Sequence, residues 1–144
     1  MNDVTMGNQQ ETVENICWLA GAFDADGTVT IRNPKEGNAA PYLDLSNTDD
    51  SFIDKSVSVI QSLGINPYIS EQKLNKNWKK VYRVRVHRAA HVKLLLEKLL
   101  PYLTAKKSRA SLVLKYINNK DIRLIADVKE LNKRGTTDSS ETIC

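Results

Sequence analysis

Apolar residues recur along this chain at two spacings, and each change of spacing marks a new element. From about Glu11 to Asp24 they fall at helical intervals, predicting an apolar helix. Gly27 punctuates the chain and the interval drops to two. In Thr28-Val29-Thr30-Ile31-Arg32, Val29 and Ile31 share one face and the polar residues the other. Residues 33–41, with Gly37 and two prolines, predict a flexible hairpin connection. Tyr42-Leu43-Asp44-Leu45-Ser46 then alternates again, with Leu43 and Leu45 inward.

Thr48 is the expected N-cap of a second helix, with Asp49 and Asp50 at the positive end of its dipole. Phe52, Ile53, Val57, Ile60 and Leu63 form its apolar stripe, and Gly64 its stop. A second strand pair is predicted over 68–73 and 80–87, joined by a polar loop through Asn75-Lys76-Asn77. In the later strand Tyr82, Val84 and Val86 share one face, and Arg83, Arg85 and His87 the other. A helix from Ala89 to Leu100 should bury Val92, Leu95, Leu96 and Leu99 and end before Pro101. Two further helices are predicted over 106–118 and 121–133.

Hairpins alternating with helices give an α+β fold in which one antiparallel sheet is covered on one face. Residues 1–10 read as a flexible leader, 11–134 as one domain and 135–144 as a disordered tail. The uncovered sheet face should carry Thr28, Thr30, Arg32, Tyr42, Asp44, Ser70, Gln72, Arg83 and Arg85. Mixed donors and acceptors along a twisted sheet suit base edges in a DNA major groove. An ordinary solvated sheet face has the same composition, so the pattern alone leaves both readings open.

Charge shifts the balance. The 144-residue chain carries +4 overall, but residues 1–72 hold 3 Lys/Arg against 11 Asp/Glu, and residues 73–134 hold 18 against 4. So uneven a distribution suggests a polyanionic partner, although Lys115, Lys129 and Lys133 fit the wet faces of helices equally well. The two cysteines, Cys17 and Cys144, have neither metal-ligand spacing nor the look of a disulfide framework, which fits a reducing intracellular compartment. No apolar run approaches the roughly 18–20 residues that span a bilayer, so no membrane association is expected.

The segment Leu19-Ala20-Gly21-Ala22-Phe23-Asp24-Ala25-Asp26-Gly27 is odd by local rules. It sets two carboxylates at the negative end of a helix, where backbone carbonyls also lack partners. Acids and free carbonyls together suit a hard divalent cation such as Mg²⁺; an Asp-Gly turn bonding its own backbone is the plainer account. The whole segment resembles the signature of the LAGLIDADG homing endonucleases, departing only at Ala22 and Phe23, both apolar. The order αββαββα is similar to that family's core over residues 11–118, with helices added at the C-terminus and the sheet forming a DNA-binding saddle. Leu100-Pro101-Tyr102-Leu103-Thr104-Ala105-Lys106-Lys107 resembles the family's active-site lysine segment, which gives Lys106 that role. Asn47 falls where the family often has a water-positioning Gln.

The resemblance implies a site-specific DNA endonuclease, host-intron encoded and active as a homodimer, in which Gly21 and Ala22 of the motif helix meet their copies; Trp18 on the same helix suits the core or that dimer interface. Gly21, without a Cβ, would allow two backbones to approach, although packing on its own sheet is the alternative. Asp26 and the Ala25 carbonyl would hold Mg²⁺ (Mn²⁺ or Ca²⁺ substituting for binding), Lys106 would face the phosphate, and Asp24 would brace the helix end or act as a further ligand. The target would be long and pseudo-palindromic, since a strand of about seven residues at about 3.3 Å each spans roughly seven base pairs. The products would carry 3′ overhangs. The expected setting is intracellular, in a prokaryote or an organelle. A rival reading is a non-cleaving relative, an intron RNA maturase or DNA-binding regulator. His87 and His91 form H-x-x-x-H without a third ligand nearby, which favours plain surface histidines. Trp78 suits either a DNA contact or a hairpin pin.

Overall fold

The computed structural model describes residues 6–32, 40–73, 79–121 and 123–134, with side chains from Thr12 to Lys133. The hairpin connection at 33–39, the loop at 75–77, Trp78 and the tail at 135–144 lie outside the described residues. Helix α1 runs Met6–Asp26 and passes directly into β1, Gly27–Arg32. The expected leader is therefore helical from Met6, a correction. Extending a formed helix costs far less than starting one, so the apolar segment carries the polar residues before it. Gly27 makes the abrupt switch from helix to strand. A Cβ there would lie 2.4 Å from Phe23 Cδ1 and 2.8 Å from both the Phe23 Cα and its carbonyl oxygen.

Strand β2, Ala40–Asn47, pairs antiparallel with β1, setting Thr28 opposite Asp44 and Thr30 opposite Tyr42. Helix α2 spans Asp50–Ser62, and its N-cap is Asp49, not Thr48 as expected. The Asn47 side-chain oxygen accepts the Asp49 N–H at 2.8 Å and turns the chain. The Asp49 carboxylate then accepts the Phe52 N–H at 3.0 Å, so the helix starts one residue later. Its buried positions are Ile53, Ser56, Val59 and Ile60, with Phe52, Val57 and Leu63 partly buried against the core. Gly64, at φ +82°, ends it as expected.

Strands β3, Tyr68–Gln72, and β4, Val81–Val86, form the second hairpin. Helix α3, Ala89–Leu99, buries the four residues its spacing predicted and gives way to a 3-10 turn through Pro101. Helices α4, Lys107–Asn119, and α5, Arg123–Arg134, complete the described chain. The sheet order is β1-β2-β4-β3, antiparallel throughout, so the two hairpins join through β2 and β4. The helices pack on the side that buries Val29, Ile31, Leu43, Leu45, Val84 and Val86. The α+β class and the one-sided cover are as the alternation predicted.

Among the described residues no helix is long and apolar enough to cross a membrane. Cys17 is disulfide-bonded, against the expectation of no disulfide framework. Spacing along a sequence does not fix distance in space.

Candidate active site and nucleic-acid face

The last turn of α1 delivers two carboxylates to one end of the sheet, and they do different work. Asp26 is exposed, and its Oδ2 accepts the Asn47 side-chain N–H at 3.0 Å. Asn47 ends β2, and because its oxygen is held by the Asp49 N–H, its amide is oriented toward Asp26. Asp24 points instead at the segment before α4. Its Oδ2 accepts the Thr104 N–H at 2.8 Å and its Oδ1 the Lys106 N–H at 3.0 Å. The Lys106 ammonium in turn donates to the Asp24 carbonyl at 2.7 Å. Of the two roles open to Asp24, the geometry matches the brace.

Lys106 is half-buried at the N-cap of α4. Burial holds its ammonium below the ordinary lysine value, and the Arg109 charge pushes the same way, while Asp24 and Asp26 oppose both. Arg109 is buried and donates to the Leu131 carbonyl at 3.1 Å, tying α4 to α5. Sequence reasoning missed it, because an arginine inside looks no different in sequence from one outside.

A test of the Asp24 brace is direct. Asp24→Asn should place a donor against one of two backbone donors, costing about 1.5–3 kcal/mol for a charged hydrogen bond. Thermal unfolding should report the lost stability, and any DNA cleavage should fall with it as Lys106 loses its tether. An unchanged melting temperature would remove the brace.

The donor set at the helix tip fits a divalent cation in part. Asp26 offers an exposed carboxylate, Ala25 is exposed beside it, and the final carbonyls of a helix lack intrahelical partners. All are hard oxygens of the kind Mg²⁺ takes. Among the described residues no group of three or more His, Cys, Asp and Glu could hold a metal. The remaining ligands would be waters, backbone oxygens or groups beyond the described residues.

The three α1 residues expected at a dimer interface part company. A Cβ on Gly21 would meet nothing within 4 Å, so Gly21 is exposed and does not pack on its own sheet. Ala22 is buried in this chain's own core, a correction to its interface assignment. Trp18 is half-buried, its ring 5.3 Å from Phe52 with the Lys55 ammonium 4.7 Å from its centroid. That is a largely internal set of neighbours. Helical period puts adjacent residues on different faces, so the core could take Ala22 while leaving Gly21 outside.

On the open sheet face, Thr28, Arg32, Gln72 and Arg83 are exposed, and Thr30, Tyr42, Ser70 and Arg85 are half-buried. Asp44 departs from the expectation. Only 7% of it is exposed, and its Oδ2 is taken by Arg85 at 2.7 Å and approached by Arg83 at 3.5 Å. Its charge is engaged within the sheet through Oδ2 and its other oxygen is buried, so it is not presented to a ligand as a free acceptor. Tyr68, unassigned from sequence, stands opposite Arg85 on the same face and is 60% exposed. The alternation that selected Ser70 and Gln72 would also have found it. Arg32, Tyr42, Tyr68, Arg85 and His87 line a hollow of about 390 Å³ at the sheet end far from Asp26. His87 is exposed and His91 half-buried, and no zinc group forms around them among the described residues.

Residues 14–100 match the model of the LAGLIDADG-like domain. An uncharacterised protein of Methanocaldococcus jannaschii is 32% identical over 71 residues, 49% of this chain and 26% of that protein, so the match spans about a quarter of the relative's length. Among solved structures, the homing endonuclease I-CvuI in complex with its target is similar at TM-score 0.66 and 24% identity, over 94% of this chain and 89% of that one. The same enzyme bound to the I-CreI target in the presence of Mg, with the DNA not cleaved, matches at TM-score 0.61 and 26% identity, over 87% and 82%. The archaeal intron-encoded homing endonuclease I-Vdi141I, complexed with DNA, matches at TM-score 0.65 and 15% identity, over 91% and 89%.

Proposed function

Because the chain belongs to the LAGLIDADG-like family and has the homing-endonuclease fold, we propose that it is a site-specific DNA endonuclease that cleaves both strands of a long pseudo-palindromic target as a homodimer. The observation that carries this reading is the gathering of Asp26, Asn47 and Lys106 at one end of an open polar sheet. A strand-cutting site needs an acidic cation ligand, a group that faces phosphate and a surface that holds the duplex in register. Asp26, Lys106 and the open sheet face would supply all three.

The dimer follows from counting. A duplex has two backbones and this chain has one Asp26, so a twofold pair supplies a second tip and, by symmetry, asks for a near-palindromic target. The α1 surface supports such a pairing. Gly21 and Ala25 are exposed at a spacing of four on α1, a narrow stripe with no Cβ at Gly21. A stripe this slim lets two helices approach closely, which would bring their acidic ends together.

Asp26 and the Ala25 carbonyl would hold the divalent ion, with Mg²⁺ the expected species. When bound, such an ion orients a water for attack and stabilises the leaving oxygen of the phosphodiester. Asn47 holds the Asp26 carboxylate in one orientation, so the ligand is in place before substrate arrives. Lys106, tethered through Asp24, keeps a positive charge beside the phosphate to offset the negative charge that grows there during attack. The ends would carry 3′ overhangs, and the reading takes the gene to be intron-borne.

The test is to incubate the purified chain and Mg²⁺ with a randomised duplex library and sequence what is cut. The expected result is a single long consensus with approximate twofold symmetry, cut in both strands. Binding without cutting would favour the non-cleaving reading, in which intron RNA or a regulatory DNA site is held and left intact.

A further inference from the structure

The centre of the open sheet face holds a charged cluster that stability does not explain. Asp44 on β2 and Arg85 on β4 are directly opposite in the ladder, and Arg85 Nη2 donates to Asp44 Oδ2 at 2.7 Å. Arg83, opposite Ser46, donates to that hydroxyl at 3.4 Å and leans back to Asp44 at 3.5 Å. The Arg85 guanidinium lies 4.4 Å over the Tyr42 ring. Asp44 Oδ1 and Arg85 Nε are nonetheless buried without a hydrogen-bond partner among the described residues. Replacing a buried ion pair by apolar side chains is often neutral or stabilising, and orphaned buried polar atoms carry a further penalty. What the arrangement does secure is direction: Arg85 is held on one side by a carboxylate and beneath by a ring.

We infer that Asp44 and Tyr42 are positioning residues that fix Arg85 as the reader of a guanine in the target. The inference rests on the proposed reading of this face as the surface for duplex DNA. With one Nη2 hydrogen on Asp44 and Nε buried, the hydrogens of Nη1 and the second of Nη2 remain for a ligand. Those neighbouring donors form the fork that meets O6 and N7 of guanine in the major groove, a pattern neither adenine nor the pyrimidines present there. A free arginine on a sheet would sample many rotamers and take phosphates and bases alike. One pinned to Asp44 has already lost that freedom, so the fork meets a base edge with little further ordering. Asp44 also removes net positive charge from the face, which weakens binding to any sequence while leaving the guanine contact intact. Register gives the position. Asp44 lies three residues before Asn47 on β2, about 10 Å along the strand, so the guanine belongs roughly three base pairs outward from the one facing the active-site end.

The experiment selects bound duplexes from a randomised library, with Ca²⁺ in place of Mg²⁺, for the full chain, Asp44→Ala and Arg85→Lys. The full chain should prefer guanine at one symmetry-related position in each half-site by about 5- to 140-fold, the range of one good bidentate pair. Asp44→Ala should reduce that preference to less than about threefold at that position only. Its binding to unselected duplex should tighten, with a salt slope steeper by up to about two units per chain as Arg83 and Arg85 turn to phosphates. A merely structural role for Asp44 would lower affinity across all positions and would not raise non-specific binding. Should Asp44→Ala not fold, Arg85→Lys decides: it keeps a cation for Asp44 but, as a point charge without the planar fork, should hold guanine less firmly, so guanine preference should fall well below the parent's while other positions hold. Full guanine preference in either folded variant overturns this inference and leaves the proposed function standing. If the full chain enriches no duplex at all, the DNA reading and this inference fall together.

Discussion

Replacing Asp26 with asparagine is expected to abolish cleavage of a selected target while leaving the duplex bound. Asp26 is the exposed carboxylate at the tip of α1, and Asn47 holds it through a single 3.0 Å contact. An amide keeps the shape and can still meet a neighbouring side chain, but it carries no charge for a divalent cation. If the ion's share of transition-state stabilisation is several kcal/mol, its loss should slow cleavage by at least about a thousandfold. Binding depends on the sheet and its arginines, which are not altered, so affinity with Ca²⁺ should change by less than about tenfold. If two Asp26 carboxylates meet near a twofold axis, as proposed, removing their repulsion should favour the dimer slightly. Single-turnover cleavage and gel-shift titration on the same duplex separate these effects. If Asp26→Asn cuts at the parent rate, the site has been assigned to the wrong residue; if it no longer binds, Asp26 has a structural role that its exposure does not suggest.

The second large effect is expected at Lys106. Lys106→Met keeps a long flexible chain and removes the ammonium, and cleavage should fall by about 10²–10³-fold, the scale of losing one preorganised charge or donor at a reacting oxygen. Stability should move the other way or not at all. Burial lowers the Lys106 proton affinity in the folded protein relative to an ordinary lysine at 10.5. The folded state therefore disfavours the charged form, and it carries that penalty fully at neutral pH, where the unfolded chain is also charged. The penalty is relieved as pH rises from the lowered folded value to 10.5, so Lys106 contributes a rise in stability over that window. At neutral pH the methionine variant should melt at or above the parent temperature, despite losing the contact to the Asp24 carbonyl. The same shift predicts that cleavage by the parent declines with rising pH before an ordinary lysine would lose its proton. A variant that keeps its cleavage rate would detach Lys106 from the chemistry. One that loses both activity and stability would make it a structural strut.

Helix α3 and the open sheet show how far sequence reaches into this molecule. Spacing alone identified Val92, Leu95, Leu96 and Leu99 as the buried face of α3, because an amphipathic helix writes its orientation into a period. Alternation identified the sheet face in the same way, including Arg83 and Arg85 on one side and Val84 and Val86 on the other. Where expectation slipped, a side chain bonded locally in a manner no period encodes. Asn47 turning onto the Asp49 N–H moved the α2 cap by one residue. Nor could composition tell that Asp44, flanked by leucines and read as an exposed acceptor, would be closed over by two arginines from β4.

By itself the sequence determined the α+β class, the apolar faces of the strands and of α3, and the residue types that the proposed cleavage would use. Those follow from local periodicity and side-chain chemistry, which act over a few residues. Which of two neighbouring aspartates braces and which stays open was decided only when α1 met a segment some eighty residues later, through the Thr104 and Lys106 N–H groups. So too for Gly21, exposed, and Ala22, buried beside it: their difference depends on which side of α1 the core comes to occupy. Hydrogen bonds and burial between distant segments exist only after the chain has closed on itself, and no local pattern carries them.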